Sequence, residues 1–91
     1  MKYKFKGQSS TGESCVFEIA EKGVEWRIQF SFGWTRGTFS GFAGDEILTT
    51  KHGKKFGVMT SGGWTKQPNF LDRFELEIYE KKCIFNCRKA Q

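Results

Sequence analysis

Val24-Glu25-Trp26-Arg27-Ile28-Gln29-Phe30-Ser31-Phe32-Gly33-Trp34 is the stretch that decides the fold class. Its even positions are all large and apolar: Val24, Trp26, Ile28, Phe30, Phe32 and Trp34. Its odd positions, Glu25, Arg27, Gln29, Ser31 and Gly33, are polar or glycine. Period two means a strand with one face buried, since successive side chains point to opposite faces. A helix would need apolar residues three and four apart, which this window does not supply. The stretch is expected to form one long central strand on which the others pair.

The flanking sequence repeats the pattern in shorter pieces. Lys2-Tyr3-Lys4-Phe5-Lys6 alternates lysines with aromatics and reads as an edge strand, outward lysines being a common guard against edge-to-edge pairing. Cys15, Phe17 and Ile19 alternate in a second strand, and Glu21-Lys22-Gly23 turns it into the central one. Thr38–Phe42, Glu46–Lys51 and Lys54–Thr60 follow, the last two joined by a two-residue turn at His52-Gly53. Arg73–Tyr79 alternates again, and Cys83, Phe85 and Cys87 share a face of the final strand. Ser61–Asn69 is the longest irregular segment and holds the only proline. No ten-residue stretch has a helical period. The expectation is all-β: one domain over residues 1–91, an antiparallel barrel or sandwich of seven to eight short strands, mostly hairpin-connected.

Composition fits that reading. A chain of 91 residues makes one small domain with a modest core. Ten Phe and three Trp can fill it, because each ring buries a large area. Fifteen basic and ten acidic residues give a net charge of +5, which suits an anionic partner as well as plain solubility. Three cysteines, with no apolar leader after Met1, read as reduced thiols of a cytoplasmic protein. No apolar run approaches membrane-spanning length.

Three features bear on chemistry. Ser31-Phe32-Gly33-Trp34-Thr35-Arg36 and Ser61-Gly62-Gly63-Trp64-Thr65-Lys66 share the pattern Ser-x-Gly-Trp-Thr-basic. If both turns met at one barrel mouth, Trp34 and Trp64 would offer stacking faces, with Arg36 and Lys66 facing negative charge. Otherwise each Trp simply caps the core. Gly53–Thr60 sets Lys54 and Lys55, with Lys51 nearby, before Phe56-Gly57, where an exposed ring could stack a base. Over eight residues this is similar to the stacking strand of cold-shock-type single-strand binders. Their second aromatic strand has no counterpart here, and no family follows. Cys83 and Cys87 lie four apart on a strand, roughly 13 Å, too far to share one metal or a disulfide. No metal or cofactor is expected.

Catalysis has no motif behind it. His52 is the only histidine and sits in a lysine-flanked turn, and no nucleophile elbow, P-loop or dinucleotide fingerprint occurs. The sequence therefore reads as a non-enzymatic binding module, a small inhibitor or adaptor. Its basic, aromatic surface (Trp34, Arg36, Lys51, Lys54, Lys55, Phe56, Trp64 and Lys66) would engage an acidic protein face or nucleic acid, with a homodimer as one form of such an interface. A single-stranded nucleic-acid-binding barrel is the alternative. A carbohydrate or small-ligand binder built on Trp34 and Trp64 is a second.

Overall fold

A computed structural model describes residues 2–31, 33–42, 45–60 and 72–90 of the chain. It is all-β. The strands are β1 (Tyr3–Ser9), β2 (Ser14–Ile19), β3 (Glu25–Gln29), β4 (Thr35–Phe42), β5 (Asp45–Thr50), β6 (Lys55–Thr60), β7 (Arg73–Ile78) and β8 (Cys83–Lys89). Each pairs antiparallel with the next, and β8 returns to pair with β1, so the sheet closes into an eight-stranded meander barrel. Closure corrects one expectation directly. β1 is no edge strand: it bonds β2 on one side and β8 on the other, and its lysines point out from the barrel wall.

The long central strand is also shorter than its periodicity implies. β3 keeps the expected alternation at Trp26 and Ile28, both fully buried, but ends at Gln29. Val24 is 53% exposed and Trp34 39% exposed, outside the core that their spacing assigned them to. Gly33 adopts φ +75°, a left-handed conformation that breaks the extended run before β4 begins. The other turns are built similarly. Gly23 takes φ 72°, as the hairpin reading requires. At the β5–β6 connection, Gly53 N–H donates to Thr50 C=O at 2.9 Å and Thr50 N–H to Lys54 C=O at 2.9 Å. That makes Lys51-His52-Gly53 a three-residue loop with Gly53 at φ 81°, in place of the two-residue turn expected.

Eight strands enclose a space that side chains just fill. Here aromatic rings fill it in a chain. Phe56 stacks on Trp26 with centroids 5.2 Å apart, and Trp26 lies 6.4 Å from Phe17. Phe17 meets Phe74 at 5.8 Å, and Phe74 meets Phe5 edge-on at 4.9 Å. Ile19, Ile28, Leu48, Met59, Leu76, Ile78 and Phe85 complete the core. The Trp26 indole fits because its cross-strand partner is Gly37. A Cβ there would collide with the Thr49 carbonyl oxygen and stand 2.8 Å from an indole carbon. The indole N–H donates to the Thr38 carbonyl at 2.9 Å, so the ring's one polar group is satisfied.

Phe56 enters this core through a bulge. Leu48 pairs with Gly57 and Thr49 with Lys55, so Phe56 has no partner on β5. The extra residue re-aims the side chain inward. Strict alternation with Val58 would have turned Phe56 to solvent; instead it is 5% exposed. Two stability measurements check this packing. Phe56→Ala should cost about 3–5 kcal/mol in urea unfolding, the range for deleting a buried ring. Gly37→Ala should cost about 1–3 kcal/mol through overpacking against the indole and the β5 backbone.

Candidate functional site

In a meander, connections alternate between the two ends of the barrel. The loops after β1, β3, β5 and β7 share one end. The segments after β2, β4 and β6 leave from the other, with both termini. Trp34 stands at the first end, at the start of β4. β6, which leads toward Trp64, runs antiparallel to β3 and finishes at the opposite end. Trp64 and Lys66 lie outside the described residues.

Trp34 does not present a free face. The Arg27 guanidinium lies over its ring, 4.4 Å from the centroid, and Arg27 Nε donates to Glu18 Oε1 at 2.7 Å. Arg36 is exposed and directly opposite Arg27 across the β3–β4 pair. Arg36 and Lys51 are the residues next beyond the Gly37–Thr50 pair, so these two strands bring them to the same end. Lys54 and Lys55 are exposed on the adjoining hairpin, where Lys54 pairs with Glu80 at 2.7 Å. That ammonium holds the Glu80 carboxyl below the usual carboxylate range. Phe56 belongs to the core, so a base cannot stack on it without opening the barrel. The expected residues thus divide: Trp34, Arg36, Lys51, Lys54 and Lys55 gather loosely at one end, two of their neighbourhoods already charge-compensated, and Phe56 is removed.

A second cationic array lies on the side wall, and it is the better-formed one. Lys6 on β1 is directly opposite Arg88 on β8, and Arg88 is directly opposite Arg73 on β7. All three are exposed and outward. No carboxylate among the described residues forms an ion pair with any of them; Glu21, Glu18, Glu80 and Glu13 pair instead with Lys2, Arg27, Lys54 and Lys81. Like charges directly opposite on a sheet repel. Three in a row without an acid between them lower stability unless an anion is bound.

Two residues along the strands, on the same outward face, runs a row of amides and a hydroxyl. Gln8 pairs with Ser14 on one side and Asn86 on the other, and Asn86 pairs with Glu75. The two rows border a cavity of about 840 Å³, lined by Lys6, Gln8, Ser10, Ser14, Asn86 and Arg88 among others. A second, of about 350 Å³, continues past Asn86 and Arg88 to Arg73 and Glu75. The wall formed by β7, β8, β1 and β2 is therefore concave and basic along the Lys6–Arg88–Arg73 row, with Glu75 and Glu77 on β7 and the Arg27-paired Glu18 on β2 as its outward acids. The sequence reading took the β1 lysines as edge protection and had no route to Arg73 and Arg88. Their juxtaposition depends on closure and register, and neither is local.

Behind this wall, Gly7 is flanked by Cys15 and Cys87. A Cβ on Gly7 would stand 2.7 and 2.8 Å from the two sulfurs, so the missing side chain is what lets both thiols turn inward. Cys87 Sγ–H donates to the Phe85 carbonyl at 4.0 Å. The neighbouring Cys87 thiol pulls Cys15 down, and the Cys15 thiol, with burial, pushes Cys87 up. The strands that bear them sit on either side of β1, which sets their Cα atoms about 10 Å apart. A disulfide reaches across no more than about 7 Å, and all three cysteines are free thiols. Cys83, the half-buried one, is also raised, by burial and the Glu13 carboxylate.

No protein-family model, curated protein or solved structure matches the chain. Among the described residues no three His, Cys, Asp or Glu side chains converge as a metal site would require, and no helix is long and apolar enough to cross a membrane.

The thiol arrangement has a measurable consequence. In native protein an alkylating reagent should modify Cys83 first. Cys15 and Cys87 should react only at the rate of unfolding, as peptide mass mapping over time would show. Fast labelling of Cys87 would contradict the packing around Gly7.

Proposed function

We propose that this chain is a non-enzymatic binding module whose basic barrel wall engages an anionic macromolecule. The Lys6–Arg88–Arg73 row carries the reading. Cross-strand repulsion of this kind is unfavourable in the free protein and is relieved when a polyanion neutralises it. The geometry favours a binding role over a chemical one. The barrel interior is filled with rings, and the wall holds donors and cations without a positioned nucleophile and base. The Trp34 end, with Arg36, Lys51 and Lys55, adds a second, weaker source of positive charge.

A polyanion column separates the wall from the end. The triple variant Lys6→Gln/Arg73→Gln/Arg88→Gln should elute from immobilised heparin at clearly lower salt than Lys51→Gln/Lys54→Gln/Lys55→Gln. Both lose three charges, so net charge alone cannot produce the difference. Equal elution of the two folded variants would mean that the wall is not the binding surface.

A further inference from the structure

The concave wall has a chemistry that narrows the class of its partner. Its central row is a single track of three cations, crossing three strands over about 10 Å. Beside it, on the same face, runs the Ser14–Gln8–Asn86 row of hydroxyl and amides. The lining of the larger cavity is otherwise Lys6, serines, Gln8, Asn86 and Arg88, with Val16 and the half-buried Phe30 as its large apolar members. A protein partner would be expected to meet an apolar or aromatic core at the centre of the patch. Nucleic-acid interfaces are more polar and far more positively charged. Here Lys6 and Arg88 hold the middle of the row, Val16 continues it beyond Lys6 on β2, and the exposed Ile84 lies two residues past Asn86 on β8, so cations and amides separate the two apolar side chains.

From this we infer that the β7–β8–β1–β2 wall is a binding site for single-stranded nucleic acid. Lys6, Arg88 and Arg73 hold consecutive backbone phosphates, and Gln8 and Asn86 face the sugars and base edges. The inference rests on the polyanion reading above and specifies its partner. Two features select a single strand. The wall offers one phosphate track, where a duplex presents two. The amide row lies alongside that track, where the edges of unpaired bases are free, whereas in a duplex they are turned into the grooves. Phe30 contributes little stacking, since the Lys81 ammonium sits over its ring at 4.6 Å. Contacts dominated by phosphates carry little sequence preference. Glu75 repels phosphate and bounds the track on the β7 side of the amide row.

The test is fluorescence anisotropy with a labelled twelve-nucleotide single strand of mixed sequence, titrated at several salt concentrations. Three phosphate contacts on a single strand predict a slope of log K against log salt of about −2. Lys6→Gln/Arg73→Gln/Arg88→Gln should flatten that slope toward zero, while Lys51→Gln/Lys54→Gln/Lys55→Gln should leave it nearly unchanged. Gln8→Ala/Asn86→Ala should weaken binding several-fold with the slope intact. Far-UV circular dichroism of each variant confirms that the barrel is folded. Retention on heparin without any binding of the oligonucleotide would overturn this inference and leave the polyanion reading standing. Loss of both would overturn both. Equal affinity for the blunt duplex of the same sequence would overturn the selection of a single strand.

Discussion

A closed barrel of eight strands must be filled from its own inward side chains, and everything else in this molecule follows from how that is done. The filling is aromatic, and its pivot is Trp26 lying across Gly37. The glycine gives up side-chain packing on β4 so that one large ring can span the interior from β3 toward β6. Phe17, Phe74 and Phe5 extend the same chain of rings to the far wall. Because rings bury so much area per residue, a chain of 91 residues can complete a core that aliphatic residues would leave thin.

Closure does more than hide the sheet edges. It fixes the register of β8 against β1, and that register builds the basic wall. Lys6 and Arg88 are 82 positions apart in the chain and become immediate neighbours only when the last strand returns to the first. The same pairing sets Cys87 across Gly7 from Cys15, inside the wall. One strand, β1, thus carries the outward Lys6 of the cation row on its outer side and the glycine gap on its inner side, at adjacent positions. Stability of the closure and integrity of the candidate site are one property.

Much of the fold was legible in the sequence. Strict alternation at Tyr3–Phe5, Cys15–Ile19 and Phe74–Ile78 marked strands and their buried faces, and glycines at 23 and 53 marked turns. Three things were not. The run from Phe30 to Trp34 kept period two after the strand had ended, because hydrophobic spacing does not register a glycine that swings the backbone to positive φ. Phe56 was misread because a bulge shifts parity by one, and a bulge has no signature in a six-residue strand. The edge reading of β1 failed because outward lysines serve a closed wall as well as an exposed edge. The candidate site was legible only in part. Lys51, Lys54, Lys55, Trp34 and Arg36 announce themselves as local clusters, and the structure leaves them at one end with Arg27–Glu18 and Lys54–Glu80 already compensating charge there. Arg73 and Arg88 carry no local signal, since what distinguishes them is the partner strand.

The most direct measurement is a map of backbone amide shifts in labelled protein as a short single-stranded oligonucleotide is added. Binding at the side wall predicts shifts concentrated on Lys6, Gln8, Arg73, Asn86 and Arg88, spread over three strands, of which β1 meets β8 only through closure. Shifts confined to Trp34, Arg36 and Lys51–Lys55, or no shifts in a folded barrel, would contradict it.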